Sequence, residues 1–290
     1  DGILLKYATT QLITKLSEEK LYVLFEKTGI KNEYCFDNTN IKKIEVNKGN
    51  IKKDEQFIYV NVEASKDSLI ILTTKNDDQV IILTLNEEEA KDSYKTNLWR
   101  KERLIICNGI VLVNDDYLTI QNRGCNKMIF DVFPKVQEVV SQVGEVEGLT
   151  SGIFSHYEIA VPSCNCKYRV NYIIEGRSRL EIEEEVFRNR FINEILVIVN
   201  YIGDVGNAYI DNELVDDNFY NGSLWEIGLK RFYPKVHEKG LDFHIVPLRK
   251  GRMTTSVSVA AKTLEFIGDE IGKINSVELD LVYQLKLRKK

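Results

Sequence analysis

The sequence predicts an all-β protein made of two β-sandwich or jelly-roll domains. Short runs of β-branched and aromatic residues recur along the whole chain. Two-residue turn signals separate several of these runs, and helical periodicity is rare. At 290 residues, with 43% hydrophobic and 29% charged residues, the chain is long enough for two domains that each bury a core.

The first half contains seven strand-like runs. Lys75 to Asp78 form a polar turn between the second and third, and Asn108-Gly109 predicts a hairpin between the fourth and fifth. Asn86 and Glu89 have the spacing of a capping box, which predicts a short helix over Glu87 to Lys95. The predicted strands are Phe57–Val62, Leu69–Thr74, Val80–Leu85, Leu104–Cys107, Ile110–Val113, Tyr117–Ile120 and Met128–Phe133.

The second half continues the strand pattern. Asp211-Asn212 tolerates positive φ and predicts a tight hairpin, and Asn221-Gly222 predicts a further turn. The segment from Gln137 to Ser155 has weaker strand character, so we place a boundary there, between a β-sandwich domain (1–145) and a jelly-roll domain (146–290). The predicted strands are Tyr168–Ile174, Ile195–Tyr201, Ala208–Val215, Phe243–Pro247 and Val277–Leu287.

Composition excludes several classes of function. The net charge of −5 disfavours nucleic-acid binding, which needs a basic face. No apolar run approaches the roughly 20 residues that cross a bilayer, so we expect no membrane insertion. Five cysteines without a CxxC pattern indicate reduced thiols and a cytoplasmic protein, with no metal and no cofactor. The chain opens at Asp1-Gly2 without a methionine, and we expect it to be a piece of a longer protein.

No catalytic residue is predicted. The densest acidic cluster, Glu181 with Glu183 to Glu185, is typical of a solvated strand or turn. A GxSxG nucleophile motif and a phosphate-binding glycine loop are both missing from the sequence. His156, His237 and His244 have no metal-like spacing, and we interpret them as structural.

An aromatic and polar cluster offers the residue types of a sugar platform. The candidate sugar-binding residues are Trp225, Tyr220, Glu226 and Asn218, because aromatic rings pack on sugar C–H faces while amides and carboxylates bind hydroxyls. The competing interpretation, which we favour, is that these rings fill the sandwich core.

Two segments resemble a known family. Gly203-Asp204-Val205, Tyr209, Asp217 to Gly222 and Trp225 to Leu229 are similar to the C-terminal β-sandwich region of bacterial β-galactosidases of glycoside hydrolase family 35. The segments Leu5 to Gln11 and Phe25 to Ile30 resemble the region that follows the catalytic barrel in those enzymes.

The resemblance implies accessory domains, the second of them a galactose-binding-like jelly roll. It implies no catalytic barrel in this chain, since a (β/α)8 barrel needs about 250 residues. The chain alone would then be inactive. Its expected partners are the barrel of the parent chain, a galactoside ligand and further copies of itself, and an exposed apolar face would promote self-association. Two alternatives stay open: a carbohydrate-binding module that recognises galactosides, and an assembly or surface protein unrelated to sugars.

Overall fold

A computed structural model describes residues 2–114, 116–251 and 263–290. Strands dominate these residues, which confirms the predicted all-β sandwich class. The chain divides into two compact units. Unit 1 comprises Asp1–Gln121, Lys127–Ala160 and Leu285–Lys290, and unit 2 comprises Asn122–Asn126 and Val161–Gln284. The contiguous domains 1–145 and 146–290 stay a prediction.

The part of the chain up to Ala160 forms short strands and one helix, α1 (Glu87–Lys91). In chain order the strands are β1 (Leu5–Ala8), β2 (Gln11–Leu16), β3 (Leu21–Phe25), β4 (Glu33–Asp37), β5 (Ile41–Val46), β6 (Gly49–Lys53), β7 (Phe57–Val62), β8 (Leu69–Thr74), β9 (Gln79–Leu85), β10 (Ser93–Leu98), β11 (Lys101–Cys107), β12 (Ile110–Val113), β13 (Leu118–Arg123), β14 (Lys127–Phe133), β15 (Glu138–Ser141), β16 (Gly144–Glu147), β17 (Leu149–Ser151) and β18 (Phe154–Ala160).

Unit 1 has a central sheet, β2-β3-β9-β8-β5, that is buried on both faces. One face packs on the four-stranded sheet β1-β4-β7-β6, and the other packs on the sheet β10-β11-β14-β18-β17. Neighbouring residues therefore enter different cores: Ile70 and Ile82 lie in the first, Leu69 and Leu83 in the second. Burial on both faces explains why β3, β8 and β9 are nearly continuous apolar runs rather than alternating ones.

The capping box at the start of α1 is confirmed. The side chain of Asn86 accepts a hydrogen bond from the backbone N–H of Glu89 at 2.8 Å, and the Glu89 carboxylate accepts one from the Asn86 N–H at 3.2 Å. The helix ends at Lys91, earlier than the predicted Lys95, because the chain enters strand β10 at Ser93.

The hairpin predicted at Asn108-Gly109 is wrong. Strand β11 pairs with β10 and β14, whereas β12 pairs with β13 in a different sheet. The two residues instead serve this change of sheet. Asn108 accepts a hydrogen bond from the Ile129 N–H at 3.2 Å, and a Cβ at position 109 would lie 2.5 Å from the carbonyl oxygen of Gln121.

The segment from Gln137 to Ser155, where the sequence has weaker strand character, contains the short strands β15, β16 and β17. These strands have only three or four residues each, and their polar residues interrupt the apolar pattern that indicates a strand. Pairing with neighbouring strands forms them: β15 pairs with β16, and β17 pairs with the longer β18.

The chain from Val161 onward contains α2 (Glu185–Arg188), a 3₁₀ turn (Lys230–Phe232) and α3 (Lys235–Lys239). Among the described residues, no helix has the length and hydropathy to cross a bilayer. The strands are β19 (Tyr168–Ile174), β20 (Arg177–Ile182), β21 (Ile192–Ile202), β22 (Val205–Ile210), β23 (Glu213–Phe219), β24 (Trp225–Gly228), β25 (Leu241–Val246), β26 (Leu248–Arg249), β27 (Glu270–Ile271) and β28 (Lys273–Lys289).

Unit 2 is a β-sandwich. One layer is the antiparallel sheet β19-β20-β25-β22-β23, and the other has β21 paired with both β24 and β28. The predicted hairpin at Asp211-Asn212 joins β22 to β23 and is confirmed, with φ values of 53° and 65° at the two turn residues. Both residues lie in the left-handed region that a type I′ turn requires.

Replacing Gly109 tests the close approach at the change of sheet. We expect Gly109→Ala to lower the free energy of unfolding by about 1–3 kcal/mol, because the added methyl meets backbone that cannot move aside. Urea denaturation followed by circular dichroism measures it. Gly268→Ala is the matched control, since a Cβ there meets nothing within 4 Å. Equal stability of the two variants would contradict the assignment.

Candidate binding groove of unit 2

Trp225 lies in the core of unit 2 and is only 4% exposed. Its indole makes edge-to-face contacts with Tyr201 and Phe243, with ring centroids 5.9 and 5.8 Å apart. The indole N–H donates to the carboxylate of Asp216 at 3.2 Å, which satisfies its one polar group. The ring therefore joins the two sheets and presents almost no face to a ligand.

The glycines of the Gly203-Asp204-Val205-Gly206 segment make this packing possible. A Cβ on Gly206 would lie 2.8 Å from the Trp225 ring, and a Cβ on Gly203 would lie 2.3 Å from the side chain of Ile245. Both glycines are buried. They serve close contact between the sheets.

Two of the other predicted sugar-binding residues, Asn218 and Tyr220, contact Tyr201, the ring that also packs against Trp225. The Asn218 side chain donates to the Tyr201 hydroxyl at 2.9 Å, and that hydroxyl donates to the Asn218 carbonyl at 2.7 Å. Tyr220 packs edge-on against Tyr201 at 5.6 Å. As sugar contacts, Trp225, Tyr220, Glu226 and Asn218 stay predictions.

Glu226 follows Trp225 on β24, so strand alternation places the two side chains on opposite faces. Its carboxylate accepts a hydrogen bond from Arg123 at 2.8 Å, and Arg123 also donates to Asp280 at 2.6 Å. Glu226 is therefore part of an exposed three-residue ion-pair network.

A polar groove lies on the outer face of the five-stranded sheet. Register places Arg177 beside His244 and Arg179 beside Asp242, with Tyr209 next to Asp242 on β22. The groove has a volume of about 330 Å³ and is lined by Ile173, Arg177, Tyr209, Asn212, Asp242 and His244. The sequence does not reveal this groove, because its residues come from strands 30 to 70 positions apart. Only the register between the paired strands makes them neighbours.

The charges in the groove are partly paired. The Nη1 of Arg179 donates to both carboxylate oxygens of Asp242, at 3.1 and 3.0 Å. Burial lowers the pKa of His244, and the charge of Arg177 lowers it further. The lower pKa favours a neutral imidazole, which can both donate and accept a hydrogen bond. Cation, carboxylate, imidazole, amide and phenol together suit a ligand rich in hydroxyl groups.

The other two histidines are held by structural contacts. His156 is 2.9 Å from the buried carboxylate of Asp131, which also pairs with Lys66, and His237 is 2.9 Å from the Ile182 carbonyl. Across the described residues, no three His, Cys, Asp or Glu side chains form a group that would hold a metal ion.

No protein-family model matches the chain, and no curated protein matches its sequence. Similar solved structures include SGBP-B of the mixed-linkage glucan utilization locus of Bacteroides ovatus, in complex with a mixed-linkage heptasaccharide. That similarity has 8% identity and a TM-score of 0.19, and covers 95% of this chain and 73% of that one.

A second similar structure is the GH31 alpha-xylosidase of Xanthomonas citri. It is 9% identical with a TM-score of 0.18, and the similarity covers 99% of this chain and 38% of the enzyme. The names of both proteins refer to carbohydrates. Their TM-scores are too low to support a conclusion about the function of this chain. The likeness to family 35 stays a prediction.

The packing role of Trp225 has a measurable consequence. We expect Trp225→Ala to lower the free energy of unfolding by about 3–5 kcal/mol, because it leaves a cavity between the sheets. The matched control is Phe219→Ala, whose side chain is 72% exposed, with a change within about 0.5 kcal/mol. Urea denaturation followed by circular dichroism measures both. An unchanged stability of Trp225→Ala would contradict the packing role.

Proposed function

We propose that this chain is a non-catalytic accessory β-sandwich part of a glycoside hydrolase similar to the family 35 β-galactosidases. The observation that supports this proposal is the structural role of the segment Gly203 to Leu229. Its glycines, its hairpin and Trp225 build the core of unit 2, rather than a reaction site.

The densest acidic cluster supports a role without catalysis. Glu181 is 3.7 Å from Arg179, Glu183 is 3.8 Å from Lys167, and Glu184 is 2.7 Å from Arg188. Exposed ion pairs of this kind contribute about 0–1 kcal/mol each and are typical of a solvated surface.

An apolar surface of unit 1 supports the proposed contact with a catalytic barrel. Leu4, Leu5, Leu12 and Ile13 are exposed near the N-terminus, within or next to the segment Leu5 to Gln11 that resembles the region after the barrel. Leu5 and Leu12, together with the buried Phe36, line an apolar groove of about 250 Å³. Exposed apolar patches of this kind mark surfaces that a neighbouring domain covers.

The proposal predicts no turnover by this chain. We expect no hydrolysis of 4-nitrophenyl β-galactoside above the buffer rate, measured by release of nitrophenol, with a complete β-galactosidase as positive control. The coding sequence upstream of Asp1 is then expected to encode about 250 residues of alternating strands and helices. Enzyme-like turnover, or an upstream sequence without that pattern, would contradict the proposal.

A second candidate function is galactoside binding in the outer groove, favoured by the neutral His244 beside Arg177 and by the hydroxyl-binding groups around them. We expect an exposed polar groove of this kind to bind a single sugar weakly, with a Kd in the millimolar range. That Kd corresponds to a binding free energy of about −4 kcal/mol.

Calorimetric titration with methyl β-galactoside tests this candidate. We expect saturable binding that Arg177→Ala and Tyr209→Ala each weaken at least fivefold, because each removes a group that lines the groove. Glu226→Gln and Tyr220→Ala are the control variants, because neither residue lines the groove, and we expect neither to change the Kd. Loss of binding in those two alone would favour the residues predicted from the sequence, and no saturation at millimolar ligand would exclude both sites.

A further inference from the structure

Strand β19 forms one edge of the five-stranded sheet and carries an unusual amount of exposed apolar surface. Tyr168, Tyr172, Ile173 and Ile174 are each between 43% and 62% exposed. A long edge strand with apolar side chains is a template for pairing with another strand, and proteins usually protect such edges with charge.

Two other edges of the described sheets carry that protection. The opposite edge of the same sheet, β23, contains Glu213, Asp216 and Asp217. The edge strand β6 in unit 1 contains Lys52 and Lys53. Strand β19 carries only Arg169 among its seven residues.

The backbone of β19 is oriented for pairing. The N–H of Glu183 donates to the carbonyl of Lys167 at 3.1 Å, so the polar backbone groups of Lys167 face β20. Because these groups alternate along a strand, those of Arg169 and Asn171 also face β20, and those of Tyr168, Val170 and Tyr172 point away from the sheet.

The sequence of β19 complements itself in the antiparallel direction. Centred on Asn171, a second copy of the strand places Val170 opposite Tyr172, which is a favourable pair of a β-branched and an aromatic residue. The basic end of one strand, at Lys167, meets the acidic end of the other, at Glu175. A parallel arrangement would bring like charges together.

A bulge limits how far the pairing extends. The register between β19 and β20 shifts between Tyr172 and Ile174, so Tyr168 to Tyr172 is the regular part of the edge. Two copies of this part suffice for four backbone hydrogen bonds, two between each Val170 and the Tyr172 of the other copy.

We propose that β19 pairs antiparallel with β19 of a second copy of this chain, around a two-fold axis at Asn171. Two five-stranded sheets then join into one continuous sheet. The proposal is independent of any role in sugar binding or in a glycoside hydrolase.

Sedimentation velocity over a concentration series tests the association. We expect a monomer–dimer equilibrium whose dissociation constant rises at least tenfold in Tyr172→Lys, because the substitution places a charge in the regular part of the apolar edge. Leu214→Lys on the opposite edge is the matched control, since Leu214 is 51% exposed, and we expect no change. Circular dichroism checks that both variants fold. A protein that stays monomeric at every concentration, or equal weakening by both variants, would overturn the proposal.

Cross-linking tests the register independently. Facing residues at a two-fold axis without hydrogen bonds between them have Cα atoms about 4.5 Å apart, within disulfide reach. We expect Asn171→Cys to give a covalent dimer on mild oxidation, in excess of the unsubstituted protein. Arg169→Cys should give none, because its two copies would be about 13 Å apart. Cross-linking at position 169 rather than 171 would show a different register and refute the proposal.

Discussion

The contact between the Trp225 indole and Gly206 is the constraint on which unit 2 depends. The ring has room between the sheets only because position 206 has no side chain, and Tyr201 and Phe243 then pack edge-on against it. Asn218 and Asp216 are fixed in turn, one by the Tyr201 hydroxyl and the other by the indole N–H. A segment with the residue types of a sugar platform is thus mainly a device for holding two sheets together.

Local signals predicted the elements whose causes are local. The strands Phe57–Val62 and Leu69–Thr74 and the Asp211-Asn212 turn follow from side-chain shape and backbone preference, and the capping box follows from two side chains three residues apart. The pair Asn108-Gly109 misled because the same small residues serve a tight turn and a close backbone approach. Only the pairing partners of β11 and β12 distinguish the two uses.

The candidate groove was beyond sequence reasoning for a related reason. Arg177, Asp242 and Tyr209 become neighbours only through the register of three strands, and register is set by turns and by burial of the opposite face. The alternation that buries Leu180 and Phe243 is visible in the sequence, but the order of strands in the sheet is not. Residues on the outer face therefore meet in combinations that no motif records.

The central sheet of unit 1 places a condition on how the chain is made. Its strands β3 and β9 are parallel neighbours, with Leu21 beside Ile81, and the strands β4 to β8 lie between them in the chain. Both faces of this sheet are buried in the folded protein. A nascent chain that ends before β9 therefore exposes two apolar surfaces at once. The first complete core becomes available only after Leu85 has left the ribosome, and until then the growing chain needs shielding from its neighbours.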